Sequence, residues 1–377
     1  STQFCQSASL CFEQLGQNGT WIQDWSYAIK YGQYPTPRVI PQGKFLRDTW
    51  GRFQASPEAP VPWETSWRFV DFFDALQKNG NGSCQIDYTM NATSTCSLLI
   101  QLEIDRIFFF GDSISGLQYK SFLNKLGKDH VRTTDKFTST LACPLFNTHK
   151  NEKESKEIKL RYAKEGGGND FPGSARKTMV LSNQSENFLA PSSKGGSERG
   201  RLLAILNIGA HYHELSHFKE DFVKLVGWVE ASMRPHDLVF YRTSVPGHKN
   251  CIPRNPRQFN FTAGIRVVPL QSYRDFQVST QYEWNLFDGY NDFAKGYLAK
   301  RNIKTARERS LSTIHLLDVV NLTVLRRDGH TGGKDCLHYV TPGPTDWWNH
   351  LLYTKLRLLS LCFDKIERVE IFSKTTF

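Results

Sequence analysis

Residues 107–113 read Ile107-Phe108-Phe109-Phe110-Gly111-Asp112-Ser113, and this stretch indicates how the chain folds. Its four leading residues form a short, wholly apolar run, which predicts a buried strand. Residues 115–126 are rich in helix formers and contain few breakers, so we expect a helix to follow. Ser113 would then lie at a strand-to-helix turn, where its backbone N–H and the helix N-terminus face any negative charge that develops during acyl transfer.

Three further apolar runs predict strands, at residues 202–206, 238–241 and 313–320. Helical patterns with apolar residues on one side lie between them, at residues 217–233 and 287–300. This alternation of strands and helices predicts an α/β fold. Its strands are expected to be parallel, and its functional site is expected at their C-terminal ends.

A second polar motif, Asp335-Cys336-Leu337-His338, supplies a carboxylate and an imidazole close together in the chain. A serine hydroxyl is a poor nucleophile unless a base removes its proton, and that base works best when a third group fixes its tautomer. We therefore predict Ser113 as nucleophile, His338 as general acid and base, and Asp335 as the orienting carboxylate. In the alternative interpretation, Asp335 caps the following turn and His338 packs near the tryptophans.

These motifs stand in a fixed order with others, from about residue 105 to residue 362. The set resembles the PC-esterase branch of the GDSL/SGNH hydrolase superfamily, and more narrowly the trichome-birefringence-like polysaccharide O-acetyltransferases of plants. The plant proteins typically carry Arg-Asn-Gln where this chain has Gly116-Leu117-Gln118, and an aromatic-cysteine pair where it has Tyr339-Val340. The motifs that carry the resemblance are Gly111-Asp112-Ser113 with Gln118, Arg242-Thr243-Ser244-Val245-Pro246-Gly247-His248, Arg327-Asp328-Gly329-His330, Asp335-Cys336-Leu337-His338, Pro342-Gly343, Asp346 and Trp348-Asn349.

The resemblance implies an SGNH-hydrolase-like three-layer sandwich with a central parallel sheet. It also implies an acetyl relay, in which Ser113 takes an acetyl group from a donor such as acetyl-CoA and a sugar hydroxyl then displaces it. The donor would be a co-substrate, and no bound cofactor is expected. If water replaced the sugar, the protein would be a carbohydrate acetylesterase with the same triad. A glycan-binding scaffold without turnover is a third possibility.

The oxyanion of acyl transfer needs hydrogen-bond donors, and the Ser113 backbone N–H is one candidate. Asn207-Ile208-Gly209-Ala210-His211 resembles the Asn-x-Gly-His segment of the family with one extra residue. This resemblance makes Asn207 and Gly209 further oxyanion candidates. The competing interpretation is a strand end with a turn glycine.

Three residues are predicted to bind substrate. Arg242 ends a strand, where it could bind an anionic group of the donor or form a buried ion pair. Gln118 and His211 are included because they belong to the resembling motifs. His211 and His213 could in principle bind a metal, but no matching ligands stand near them, so we expect no metal site.

The first 104 residues are rich in Trp, Pro and Gly and show no sustained period. We expect them to form an irregular aromatic-rich N-terminal lobe packed on a catalytic domain of residues 105–377. The tryptophans could line a sugar groove or fill core space. Residues 149–200 are rich in Lys, Glu, Ser and Gly, which predicts a polar insertion that leaves the core.

Cysteines and glycosylation motifs point to an oxidising, glycosylating compartment, the Golgi lumen or the exterior of the cell. The chain could form four disulfides from its eight cysteines, and sequence alone leaves 105 pairings open. Cys336 is more plausibly a staple for the catalytic loop than a nucleophile. The cysteines are Cys5, Cys11, Cys84, Cys96, Cys143, Cys251, Cys336 and Cys362. The predicted glycosylation sites are Asn18, Asn81, Asn91, Asn183, Asn260 and Asn321.

Length and charge restrict the remaining possibilities. A chain of 377 residues can bury one large core or divide into two domains. It contains no apolar stretch of about eighteen residues that could span a membrane. Because it begins at Ser1, we expect a processed or truncated product, which could have lost a signal peptide or a membrane anchor. The net charge of +10 favours an acidic polysaccharide or a phosphate-bearing acetyl donor over nucleic acid, unless it is only a solvated surface.

Overall fold

The computed structural model describes residues 11–17, 19–23, 67–71, 84–145, 155–164, 188, 200–249, 270, 276, 278, 281–308, 312–332, 335–339 and 341–374. The strands are β1 Gly19–Gln23, β2 Trp67–Asp71, β3 Ile104–Gly111, β4 Val131–Thr133, β5 Thr138–Pro144, β6 Ser155–Lys164, β7 Arg201–Leu206, β8 Leu238–Arg242, β9 Ile314–Leu317, β10 His330–Gly332 and β11 Asp335–Tyr339. The helices are α1 Ala92–Gln101, α2 Ser113–Leu126, α3 Leu215–Ser232, α4 Phe287–Glu308, α5 Val320–Val324 and α6 Pro344–Lys374. Short 3-10 helices lie at Gln281–Leu286 and Arg327–Gly329.

A seven-stranded sheet, in the order β4-β5-β6-β3-β7-β8-β9, forms the centre of the structure. From β6 to β9 the neighbouring strands are parallel. The predicted parallel sheet is therefore confirmed, with one addition: β5 pairs antiparallel with both β4 and β6. The turn between β4 and β5 is too short for a parallel crossover, which requires a dozen or more residues. The Asp135 carboxylate closes that turn by accepting hydrogen bonds from the Phe137 and Thr138 N–H groups, at 2.6 and 2.9 Å.

Both faces of the sheet are covered by helices, which gives the three layers that the resemblance implies. Alternate residues of a strand point to opposite faces, and β3 shows this clearly. Ile107 and Phe109 pack in one core with residues of α1, α2 and α6. Phe108 and Phe110 pack in a second core with residues of α3 and α4. The wholly apolar run in β3 therefore reflects burial on both faces.

Strand β6 corrects the prediction of a polar insertion at residues 149–200. It pairs parallel with β3 from Lys159 to Lys164 and antiparallel with β5. The ten residues of β6 are therefore an inner part of the sheet, and the prediction is wrong for them. Ile158, Leu160 and Tyr162 are buried, whereas the charged residues between them face outward. Such a half-solvated strand has a polar composition even though it contributes to the core. Most of the remaining predicted insertion lies outside the described residues.

The described N-terminal residues share the first of these cores with the C-terminal helix. The buried Trp21 indole N–H donates to the Leu322 carbonyl at 3.0 Å, and its ring packs edge-on against Trp347 with centroids 5.1 Å apart. A Cys11–Cys84 disulfide links this region internally. The division into a lobe and a catalytic domain remains a prediction. Nothing in the described part of the N-terminal region forms a separate core of its own.

Two further expectations concern tryptophans and membranes. The tryptophans at 21, 284, 347 and 348 are each at most 3 % exposed, so core packing accounts for them. Trp25, Trp50 and Trp63 lie outside the described residues. Within the described ranges, no helix has both the length and the apolar character needed to cross a lipid bilayer.

Candidate active site

The structure brings Ser113, His338 and Asp335 into one hydrogen-bonded line, although 225 residues separate the serine from the histidine. The Ser113 Oγ lies 2.7 Å from the His338 Nε2. The His338 Nδ1 lies 2.9 Å from Oδ2 and 3.0 Å from Oδ1 of Asp335. Because an ionised carboxylate can only accept, Nδ1 carries the proton and Nε2 of the neutral ring is left to take the serine proton.

Ser113 is the first residue of α2, two residues earlier than the sequence pattern predicts. Asp112 caps the helix, since its Oδ1 accepts from the N–H groups of Ile114 at 2.8 Å and Ser115 at 3.2 Å. The first N–H groups of a helix have no partner within it. Because Asp112 already binds the N–H groups of Ile114 and Ser115, the Ser113 N–H is the donor that the start of α2 presents beside the Ser113 hydroxyl.

Gly111 allows β3 to turn into α2 at this point. Its φ of +149° is one that residues with a side chain rarely adopt. A Cβ there would lie 2.3 Å from the Ser115 Oγ and 2.6 Å from the Asn207 carbonyl oxygen. Glycine is therefore required for the close approach of the nucleophile turn to the end of β7.

Asp335 and His338 lie on a short strand, β11, which pairs with β10. Residues three apart in a regular strand point to opposite faces, so the geometry needs a local cause. The Asp335 Oδ1 also accepts from the backbone N–H groups of Leu337 at 3.2 Å and His338 at 3.0 Å. Asp335 therefore both caps its own segment, as in the alternative interpretation, and contacts the His338 ring, as the predicted orienting carboxylate would.

The electrostatics keep Asp335 ionised. Burial raises the pKa of its carboxyl, but the hydrogen bonds and charge of His338 and the two backbone N–H groups outweigh this and lower the pKa to about 2. The side chains of His338 and Asp335 are 22 % and 34 % exposed, and Ser113 is half-buried. Ligands can therefore reach the triad from solvent.

Cys336 stands between the two triad residues of β11 and is disulfide-bonded. Its partner lies outside the described residues. Disulfides also join Cys11 to Cys84 and Cys96 to Cys143. The disulfide prediction is thus confirmed for these five cysteines, while Cys5, Cys251 and the side chain of Cys362 lie outside the described residues.

Two buried histidines that the sequence offers only as parts of larger motifs support the catalytic strand. The His248 Nε2 lies 2.7 Å from the Val324 carbonyl oxygen, and its Nδ1 lies 2.5 Å from the His330 Nε2. The His330 Nδ1 in turn lies 3.1 Å from the His338 carbonyl oxygen. A continuous chain of contacts therefore runs from α5 to the backbone of the general base.

Arg242 lies on the interior strand β8, and its side chain is only 1 % exposed. Its Nη2 donates to the Ser115 Oγ at 3.0 Å, and its guanidinium lies 4.7 Å from the centre of the Trp348 ring. Burial lowers the pKa of Arg242, and the charge of Asp112 acts against this. In the described part of the chain Arg242 forms no ion pair, so it is a buried cation beneath the nucleophile turn.

Asn207 and Gly209 shape the ends of the strands. The Asn207 amide donates to the Arg242 carbonyl at 2.8 Å and to the Ser244 Oγ at 3.0 Å, which uses both of its N–H groups. A Cβ on Gly209 would lie 2.2 Å from the same Ser244 oxygen. These contacts argue against the Asn207 side chain as an oxyanion donor, and no contact of Gly209 with the triad is seen among the described residues.

The other two predicted binding residues are placed very differently. Gln118 is fully buried, and its side-chain amide has no hydrogen-bond partner among the described residues. His211, in contrast, is exposed. Its neighbour His213 hydrogen-bonds to Glu283. Among the described residues, no group of three or more His, Cys, Asp or Glu side chains is arranged to hold a metal ion.

Two predicted glycosylation sites lie within the described residues. Asn91 is exposed and caps α1. Asn321 is half-buried, and its Nδ2 donates to the Gln17 carbonyl at 2.7 Å. Thr323, which completes the second motif, is fully buried. The sites at Asn18, Asn81, Asn183 and Asn260 lie outside the described residues.

A three-layer α/β fold with a Ser-His-Asp line beside the C-terminal end of its central strand is an SGNH-like arrangement, and such a line of groups can activate a serine for acyl transfer. Residues 204–355 match the PC-Esterase family, described as a GDSL/SGNH-like acyl-esterase family found in Pmr5 and Cas1p. The resemblance predicted from the sequence is thereby confirmed, since this stretch of 152 residues matches the same family. The match includes Asp335 and His338, and Ser113 lies before it.

Similar proteins come from plants. Protein trichome birefringence-like 42 of Arabidopsis thaliana is 42 % identical over 62 residues, covering 14 % of this chain and 17 % of the relative. Xylan O-acetyltransferase 6 of Oryza sativa subsp. japonica is 25 % identical over 164 residues, covering 37 % and 26 %. Xyloglucan O-acetyltransferase 1 of Arabidopsis thaliana is 29 % identical over 106 residues, covering 24 % of each chain. The alignments thus span between 17 and 26 % of these relatives.

Proposed function

We propose that this protein is a carbohydrate O-acetyltransferase that works through an acetyl-serine intermediate on Ser113. The observation that carries the proposal is the hydrogen-bonded line from Ser113 through His338 to Asp335. The similarity to proteins named xylan and xyloglucan O-acetyltransferases supports transfer to a sugar hydroxyl.

In the first half-reaction, the His338 Nε2 takes the proton of Ser113 while the Oγ attacks the acetyl carbonyl of the donor. The tetrahedral oxyanion would lie before the Ser113 N–H and the positive end of α2. Asp335 stabilises the imidazolium that forms. When the intermediate collapses, the bond to the donor breaks, the leaving group takes the proton from His338, and the acetyl group remains on Ser113.

In the second half-reaction, a sugar hydroxyl takes the place of the leaving group. His338 removes its proton, the hydroxyl oxygen attacks the acetyl-serine carbonyl, and Ser113 leaves with the proton that His338 returns. Water can perform the same attack, which would release acetate. Because the triad is partly open to solvent, a carbohydrate acetylesterase is the second candidate function.

The acceptor we propose is a hydroxyl of a glycan or polysaccharide, and the donor is acetyl-CoA or another activated acetyl compound. A net charge of +10 favours an anionic donor. We further propose a Golgi-lumenal or secreted location, which the two complete disulfides support because such bonds persist in oxidising compartments.

The test is to incubate the protein with acetyl-CoA, with and without xylan or xyloglucan oligosaccharides, and to analyse both protein and sugar by mass spectrometry. An acetylated Ser113 peptide that disappears as acetylated sugar forms is the expected result. Faster deacetylation of pre-acetylated oligosaccharides would instead identify an esterase. Sugar binding without serine modification or turnover would identify a scaffold and overturn the proposal.

The matched control is Ser113→Ala. The serine side chain is half-buried and makes one described hydrogen bond, to His338, so its removal should leave the unfolding temperature nearly unchanged while abolishing both half-reactions. Turnover that survives this substitution would exclude Ser113 as the nucleophile.

A further inference from the structure

The contacts of His248 and His330 fix where their protons are. A carbonyl oxygen can only accept a hydrogen bond. The His248 Nε2 must therefore carry a hydrogen for the Val324 carbonyl, and the His330 Nδ1 must carry one for the His338 carbonyl. If both rings were neutral, the two nitrogens left over would be bare acceptors. Those are the very nitrogens that face each other at 2.5 Å.

Two lone pairs at that distance repel, whereas one added proton turns the contact into a charge-assisted hydrogen bond. We infer that the pair holds one extra proton, on the His330 Nε2, and that the doubly protonated His330 is a positioning residue that anchors the backbone of His338. The inference rests on the proposed function only in that His338 is the general base. The protonation state of the pair can be measured without any turnover.

The surroundings place the proton on His330 rather than on His248. Burial lowers the pKa of His248 to about 4, although its hydrogen bond to the Val324 carbonyl acts in the opposite direction. His248 therefore stays neutral and accepts. The His330 ring stacks on that of Tyr339, with centroids 4.5 Å apart and planes 24° from parallel. An aromatic face is a favourable neighbour for a cation.

Among the described residues, the 3-10 helix Arg327–Gly329 and strand β11 bring ionisable groups near the pair. The 3-10 helix Arg327–Gly329 brings Asp328, which favours the protonated form of His248, and Arg327, which disfavours it. Arg326 binds Asp328 through two hydrogen bonds of 2.8 and 2.9 Å, so the charge of this carboxylate is largely compensated. Strand β11 brings His338 and Tyr339. From α5, the described contact is the neutral Val324 carbonyl.

The extra proton has a consequence for catalysis. When it leaves, two hydrogens remain for three contacts, so the hydrogen bond to the His338 carbonyl, the one between the rings or the one to the Val324 carbonyl is lost. In each case the His338 carbonyl is no longer connected to α5. Activity should therefore fall as the pH rises and the shared proton is lost, which gives the pH profile an alkaline limb.

Two substitutions of His330 separate these contacts. Asn places its amide near the former Nδ1, so His330→Asn can still donate to the His338 carbonyl, whereas His330→Gln places its amide near the former Nε2 and cannot. We expect His330→Gln to lower kcat roughly tenfold, the worth of one hydrogen bond of about 1.4 kcal/mol, with KM unchanged. His330→Asn should retain several-fold more activity and lose the alkaline limb of the profile. Equal losses in both variants with the alkaline limb intact would overturn the inference.

The direct measurement is NMR of the whole chain with ¹⁵N-labelled histidine, at neutral pH and without substrate. We expect one ring with both nitrogens protonated and a far-downfield N–H proton, and both signals should vanish in His248→Phe. His217→Gln, a half-exposed histidine on α3, is the control that should leave them in place. Two neutral rings in the wild-type protein would refute the proton sharing, whether or not the protein transfers acetyl groups.

Discussion

The substitution Asp335→Asn tests the triad with little disturbance of its surroundings. Asparagine keeps an Oδ1 that can accept the N–H groups of Leu337 and His338, now bound at 3.2 and 3.0 Å. It replaces Oδ2, which lies 2.9 Å from the His338 Nδ1, with an N–H donor. The new N–H group faces Nδ1, and the remaining Oδ1, 3.0 Å from Nδ1, is uncharged and already accepts two backbone N–H groups, so the tautomer with its proton on Nε2 is favoured. This nitrogen then donates to Ser113 and cannot take the serine proton.

The wrong tautomer should lower kcat by about 10⁴, which corresponds to roughly 5 kcal/mol of transition-state stabilisation. The assay is the rate of Ser113 acetylation by p-nitrophenyl acetate, followed by mass spectrometry, with thermal unfolding measured in parallel. Asp335→Ala is the comparison, because it removes the backbone cap as well and should also lower the unfolding temperature. If Asp335→Asn acetylated Ser113 within tenfold of the wild-type rate, the orienting role of the carboxylate would be wrong.

Three further predictions concern stability and modification. Gly111→Ala should destabilise the protein by about 2–4 kcal/mol, because the backbone conformation at this position is unfavourable for alanine and the added Cβ would clash. The control is Gly227→Ala in helix α3, where an added Cβ would meet nothing within 4 Å and should stabilise the protein by up to about 1 kcal/mol. Equal unfolding temperatures for the two variants would contradict the argument. If the protein is expressed through a secretory pathway, glycopeptide mass spectrometry should find sugar on the exposed Asn91 and little on the half-buried Asn321. The reverse occupancy would show that modification precedes this packing. The carboxylate of Asp335, with a pKa lowered from 3.8 to about 2, contributes stability above pH 4 that is lost as the pH falls toward 2. Because this side chain is 34 % exposed, we expect the stability difference from Asp335→Asn to change by only about 1–2 kcal/mol over that range, and urea titrations showing no change would contradict it.

The central sheet and the triad were predictable because their signals are local. A run of four apolar residues before Gly111 can only be a fully buried segment, and the strand-to-helix turn follows from the helix formers after Ser113. Asp335 and His338 stand close together in the chain, so their residue types alone suggest a shared role. The family match over residues 204–355 agrees with the order of those motifs.

The sequence was less informative where the outcome depends on which other segment covers a residue. Strand β6 is rich in basic residues because one of its faces is solvated, and only its place beside β3 shows that it belongs to the core. Arg242 carries a charge that suggests a ligand, yet Trp348 and Ser115 enclose it. No pattern in the sequence indicates that the facing nitrogens of His248 and His330 come within 2.5 Å, since 82 residues separate the two.

The hydrogen bond from Trp21 to the Leu322 carbonyl has a practical consequence for anyone who trims this chain. The same short helix, α5, presents the Val324 carbonyl to His248. Trp21 therefore stabilises the helix on which the chain of contacts through His248 and His330 ends. A fragment that starts at residue 105 would retain the three residues of the proposed triad but lose the Trp21 hydrogen bond that stabilises α5. Expression clones intended for enzymology should therefore begin upstream of the disulfide at Cys11.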